Sequence, residues 1–143
     1  MVTTVRQMLA RGGAVHTVSP ATTVLDALRI MADRNIGAVL VMDGDSLAGI
    51  FTERDYARKV VLLGKNSKET PVGEVMTGRL VTIDPTWTAG QCMALMDEQH
   101  IRHLPVLEEG TVAGVISIRD ANRAVVEEQQ FAIRQLENYI SQG

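Results

Sequence analysis

Gly49-Ile50-Phe51-Thr52-Glu53-Arg54-Asp55 decides how this chain is read, because sixty-five residues later Gly114-Val115-Ile116-Ser117-Ile118-Arg119-Asp120 follows the same pattern. Each run is a Gly and two apolar residues, then a hydroxyl, then an Asp three positions on with Arg before it. Working outward at the same offset of 65, Val15 to Val61 lies on Leu80 to Val126 without a gap, and 13 of the 47 positions are identical. They include Thr17/Thr82, Pro20/Pro85, Thr23/Thr88, Met31/Met96, Ile36/Ile101 and Arg58/Arg123. A fixed internal period marks a duplicated structural unit. A copy this short is near the lower limit for folding alone, so the two are predicted to share one core as a pseudo-twofold pair.

The periodicities within each copy agree. A short apolar segment (Val15 to Val18; Leu80 to Ile83) runs into Ser19-Pro20 or Asp84-Pro85, where Pro ends a strand and Ser or Asp opens a turn. Thr23 and Thr88 then fit as N-caps of helices with apolar stripes at Val24, Leu28 and Met31, and at Ala89, Met93 and Met96. Ala38 to Met42 with Leu47 to Phe51, and His103 to Leu107 with Thr111 to Ile116, read as hairpins across turns rich in Asp, Glu and Gly. A helix entered at Thr52 or Ser117 closes each copy. The result is an α/β (α+β) fold of two β-α-β-β-α repeats with a C-terminal helix extension. The predicted boundaries are 4–63 for the first repeat, 64–71 for a linker, 72–126 for the second repeat and 127–143 for the extension. Val72 to Met76 is predicted to form one helical turn. On a helix predicted from about Asp120 to beyond Tyr139, Val126, Ile133, Leu136 and Ile140 form an apolar stripe that either packs on its own domain or meets a second copy.

Composition sets the outer bounds. The chain has 143 residues, a formal charge of −3, 45% hydrophobic residues and one Cys, which excludes a disulfide framework. No run approaches the roughly 20 apolar residues of a membrane helix, so no membrane partner is expected. Met1 to Arg11 lacks the layout of a secretory leader, and a cytoplasmic location is the expectation. With 3% aromatic residues and no overall basic charge, the chain does not suit non-specific nucleic-acid binding. Charge is uneven: residues 1–71 carry nine Lys/Arg against seven Asp/Glu, and residues 72–143 carry five against ten.

The repeated motif suggests a chemistry. A hydroxyl at a strand end beside N–H groups that open a helix suits a phosphate oxygen, and Arg54 or Arg119 adds positive charge. An Asp one turn in can accept hydrogen bonds from vicinal ribose hydroxyls. Together these describe a nucleotide. The alternative reading is a capping box, since Thr-x-x-Asp and Ser-x-x-Asp open many helices. The box accounts for the hydroxyl and the Asp but does not call for the recurring Arg and Gly.

With Val18-Ser19-Pro20 and Ile83-Asp84-Pro85, Val75-Met76-Thr77, and Ile101-Arg102-His103-Leu104-Pro105-Val106, the combination resembles a tandem pair of cystathionine-β-synthase (CBS) domains over residues 4–126. The resemblance implies an adenosine-containing ligand (AMP, ADP, ATP, NAD or S-adenosylmethionine) in two clefts between the repeats, and a homodimer. It assigns Asp55 and Asp120 to ribose, and Thr52 and Ser117 to phosphate. Adenine would lie against Ile50 and Val81 in one cleft, and against Val115, His16 and Ile36 in the other. The first cleft would border Arg102, His103 and Pro105, which favours a multiphosphate. The second, bordered by Gly37 and Ala38, would keep Arg119, which favours a monophosphate or an empty cleft.

Other candidates carry less. His16, His100 and His103 are not spaced as metal ligands, so no metal is expected. Cys92, on an apolar helix face, reads as a buried thiol with no base beside it. No catalytic constellation stands out. The chain is thus predicted to be a non-enzymatic sensor acting on an effector protein in trans. The alternatives are a nucleotide- or phosphoester-processing enzyme with His103 as acid or base, and a ligand-free dimerisation unit.

Overall fold

A computed structural model describes residues 1–12 and 15–142. It is a mixed α/β structure with two small sheets, and its chain gathers into two compact units, Ala14–Val81 and Met1–Gly13 with Thr82–Gly143. The repeat is the sequence unit, whereas the compact unit is a packing unit that takes in the segment leading into the other repeat.

The unit Ala14–Val81 is built on a three-stranded sheet. Strand β1 (Thr17–Val18) pairs in parallel with β2 (Ala38–Asp43), and β2 pairs antiparallel with β3 (Ser46–Thr52). Helix α2 (Val24–Arg34) starts where Thr23 accepts the Asp26 N–H, and ends at Asn35, which turns the chain at a φ of 53°. Its buried Val24, Ala27 and Met31 pack with Val18, Val39, Val41 and Phe51 of the strands. The one-faced spacing of α2 and the alternation in β2 thus meet in one core.

After β3 the chain enters α3 (Glu53–Asp55) and continues as a π-helical turn, Tyr56–Val61, with the Leu62 N–H reaching back five residues to the Ala57 carbonyl at 3.0 Å. A 3₁₀ turn, Val72–Glu74, then lays Val72 and Val75 into the same core. Its backbone is tied down by Val72 N–H to Thr22 O at 2.7 Å and by a two-way exchange between Ile50 and Thr77 at 3.0 and 2.8 Å. The segment that leads into the second repeat therefore completes the first.

The second unit reciprocates. Helix α1 (Val5–Arg11), which the predicted boundaries place in the first repeat, docks in this second unit by Val5 N–H to Trp87 O at 2.7 Å and Arg6 N–H to Pro85 O at 3.0 Å. Arg6 pairs with Glu108 and Arg11 with Glu127, each at 2.6 Å. Helix α4 (Ala89–Gln99) is capped by Thr88 and ends at His100, at a φ of 55°, the repeat equivalent of Asn35. Strands β4 (His103–Glu108) and β5 (Thr111–Ser117) form a hairpin. Its two-residue turn has Glu109 and Gly110 both at positive φ, the pattern that matches strand twist. The duplication extends to an irregularity at the same place in both hairpins, between Val41 and Met42 and between Val106 and Leu107. Helix α5 (Ile118–Gln142) covers the predicted extension up to Gln142, and Gly143 lies outside the described residues.

One prediction needs correction. Leu80 to Ile83 is not a strand: Ile83 alone bridges Val106, through Ile83 N–H to Pro105 O at 3.1 Å and Leu107 N–H to Ile83 O at 2.9 Å. Asp84 opens a turn at the next residue, accepting the Thr86 N–H and hydroxyl, and the chain leaves the sheet. Those two bonds also hold the Asp84 carboxyl below its ordinary range. Similarly, only Thr17 and Val18 of the predicted Val15–Val18 segment are strand.

Candidate functional site

The predicted site residues sit at two equivalent corners where a hairpin ends and a helix begins. In the unit Ala14–Val81, Ala38 faces Thr52 across β2 and β3, and the Glu53 N–H donates to the Gly37 carbonyl at 3.1 Å. Thr52 caps α3, accepting the Asp55 N–H at 3.1 Å. Ile50 lies two positions upstream on β3, buried opposite Leu40. His16 supports the same sheet through its carbonyl, which accepts the Leu40 N–H at 3.3 Å. Ile36 follows the α2 cap and packs on the core, Arg54 is exposed on α3, and Val81 is half-buried outside any strand.

In the other unit His103 faces Ser117, Pro105 faces Val115, and the Ile118 N–H donates to the Arg102 carbonyl at 2.8 Å. Arg102, Arg119 and Asp120 are exposed around this corner. At both corners two of the N–H groups that open the helix are already used, one by the residue before the hairpin's first strand and one by the capping hydroxyl. Neither corner therefore presents a full set of open helix N–H groups to an anion.

The two carboxylates differ sharply. Asp55 is 5% exposed. Its Oδ2 accepts the Thr52 N–H at 3.0 Å and the Thr52 hydroxyl at 3.1 Å; its Oδ1 accepts the Thr77 hydroxyl at 2.9 Å and pairs with the Lys59 ammonium at 3.1 Å. Lys59 also reaches the Met76 carbonyl and the Thr77 hydroxyl, each at 3.5 Å. Asp120 is exposed, and among the described residues its carboxylate accepts only the Ser117 N–H, at 3.0 Å. The Ser117 hydroxyl accepts the Asp120 N–H at 3.1 Å and donates to no described residue. Sequence reasoning found both Asp residues but missed Lys59 and Thr77. The available signal was Lys59 four positions after Asp55 on a helical segment.

The recurring glycines have a packing cause. A Cβ at Gly49 would stand 2.6 Å from the Met76 sulfur and 2.8 Å from the Thr77 carbonyl oxygen, and one at Gly114 would stand 2.5 Å from Leu9 Cδ2. Each glycine lets a lead-in segment lie against the strand before the helix. The glycines therefore belong to the fold.

Cys92 is fully buried, and burial pushes its thiol up to about 11, which leaves it in the non-nucleophilic form. Among the described residues no group of three or more His, Cys, Asp or Glu could hold a metal ion, and no helix is long and apolar enough to cross a membrane.

Comparison with known proteins gives the family. The CBS domain family matches twice, over residues 5–62 and 72–127. The mitochondrial CBS domain-containing protein CBSX3 of Arabidopsis thaliana is 41% identical over 126 residues, which are 85% of this chain and 61% of that protein, so the chain spans less than two thirds of this relative. The CBS domain-containing protein YhcV of Bacillus subtilis is 34% identical over 106 residues, 74% of this chain and 75% of the relative. A solved structure of a Burkholderia ambifaria protein with CBS domains superposes with a TM-score of 0.85 at 47% identity, covering 89% of this chain and 96% of the other. Two matched domains joined by one short connection, each with its capped hairpin-to-helix corner, place the chain in the CBS-domain family as a tandem CBS pair.

Proposed function

We propose that this tandem CBS pair is a regulatory module that binds an adenosine-containing ligand (AMP, ADP, ATP, NAD or S-adenosylmethionine) and signals to a separate effector protein without chemistry. The observation that carries the reading is the Ser117–Asp120 corner. It offers an exposed carboxylate with open lone pairs, a hydroxyl with an unused proton, and Arg102 and Arg119 at the same end of the β4–β5 hairpin. A ribose diol donates to the first, and phosphate accepts from the second and from the guanidinium groups. Ligand bound preferentially to one arrangement of the chain shifts its population toward that arrangement, which an effector then reads.

The module acts as a homodimer. Helix α5 leaves Val126, Ile133, Leu136 and Ile140 between 40% and 74% exposed, with Val126, Ile133 and Ile140 one heptad apart. Spacing of this kind suits the same helix of a second copy.

A thermal-shift panel with the five named ligands tests the reading. Ligand at about a hundred times its dissociation constant adds about 2.7 kcal/mol of stability. A shift with at least one of them, and recovery of that ligand unchanged, supports the module; turnover of the ligand supports an enzyme instead. No shift with any of the five at millimolar concentration overturns the reading.

A further inference from the structure

We propose that Lys59 and Thr77 close the first repeat to ribose, so that the chain carries one ribose-accepting carboxylate, Asp120, rather than two. The identity of the ligand rests on the nucleotide reading above; the closure of Asp55 does not. A carboxylate offers about four lone-pair directions. Around Asp55 they meet four donors: the Thr52 N–H, the Thr52 hydroxyl, the Thr77 hydroxyl and the Lys59 ammonium, at 2.9 to 3.1 Å. The group is buried. A diol bound there would have to displace two of these donors, leaving a buried carboxylate without its counter-charge or the Thr77 hydroxyl without its acceptor. The Thr52 proton that would serve phosphate is spent on the same oxygen.

The second repeat lacks both closing residues. At the offset of 65, Lys59 becomes Ala124, which is buried in α5 and carries no donor. Met76 against Gly49 is matched by Leu9 against Gly114, and the residue that follows Leu9 is Ala10, still within α1, which carries no side-chain donor, where Thr77 follows Met76. Two substitutions between the repeats thus separate a filled carboxylate from an open one.

Calorimetric titration with AMP and with ATP reads the consequence. The wild-type chain should bind one nucleotide, Asp120→Ala should bind it roughly 10- to 100-fold more weakly, and Asp55→Asn should bind one with a dissociation constant within about twofold. Lys59→Ala/Thr77→Ala, which leaves Asp55 Oδ1 without its two donors, should gain a second site that a further Asp55→Ala removes. Two sites in the wild type, one of them lost in Asp55→Asn, would overturn the proposal, as would a Lys59→Ala/Thr77→Ala variant that stays at one. A second readout needs no nucleotide. In urea denaturation of Thr77→Val, Asp55→Asn and the double variant, the combined loss should be smaller than the sum of the single losses; additive losses overturn the closure. Coupling with no nucleotide bound would remove the nucleotide reading and leave Asp55 closed.

Discussion

The Thr77 hydroxyl donates to Asp55 Oδ1 at 2.9 Å across 22 residues of chain, tying the segment that leads into the second repeat to the helix entrance of the first. Through this bond Asp55 is held in the fold, whereas the Asp120 carboxylate accepts only the Ser117 N–H among the described residues.

Stability should report that division. Asp55→Ala removes the acceptor of four donors and leaves Lys59 beside a buried void. The Lys59 side chain is 40% exposed, so solvent offsets part of the cost, and the loss should be about 2–3 kcal/mol. Asp120→Ala removes one exposed cap acceptor and should cost about 0.5–1 kcal/mol. Urea denaturation of both variants checks the ordering.

The two glycines should also differ. Gly49→Ala sets a methyl against the Thr77 backbone oxygen, which is held by the Ile50 N–H, whereas Gly114→Ala meets the flexible end of Leu9. Overpacking of this kind costs about 1–3 kcal/mol, with Gly49→Ala at the upper end and Gly114→Ala at the lower. Thermal melts of the pair measure the difference.

Cys92 gives a pH dependence with a definite sign. Burial raises the thiol from 9.0 to about 11 in the folded chain, so below pH 9 it is neutral in both states and contributes nothing. Between those values the unfolded chain ionises and the folded one does not, so stability falls as pH rises, by about 3 kcal/mol at most. The fall should be absent from Cys92→Ala when wild type and variant are unfolded in urea at a series of pH values from 8 to 11. The native thiol should also resist iodoacetamide at pH 8 until denaturant is added.

Leu136→Glu/Ile140→Glu places charge on the exposed stripe of α5, far from the buried Ala121 and Ala124 that anchor the helix. Light scattering should find the wild type at twice the chain mass and the variant at 15.6 kDa with unchanged helical content. A wild-type monomer would contradict the dimer.

The hairpins, α2, α4 and their Thr caps were legible because each rests on local spacing: Thr23 and Thr88 before an apolar stripe, and the turns at Gly44 and Gly110 between short apolar runs. Helix α1 was not, since its seven residues bury only Val5 and Met8 and its backbone partners lie at Pro85 and Trp87. Nor was the failure of Leu80–Ile83 as a strand, whose apolar run suits pairing until Asp84 turns the chain away. At the site, the hydroxyl and carboxylate positions followed from the repeat. Which carboxylate is open did not, because Lys59 four residues on is an ordinary helix pair in sequence and Thr77 arrives only when the lead-in folds back on β3.

The central claim, that Asp120 receives a ribose, is tested most directly by comparing AMP with 2′,3′-dideoxy-AMP on the wild type and on Asp120→Ala. A hydrogen bond to a charged group contributes about 1.5–3 kcal/mol, so the wild type should bind AMP roughly 10- to 100-fold more tightly than the dideoxy analogue, while the variant binds both equally and weakly. Equal binding of the two ligands by the wild type, or a preference for AMP that survives in Asp120→Ala, would contradict it.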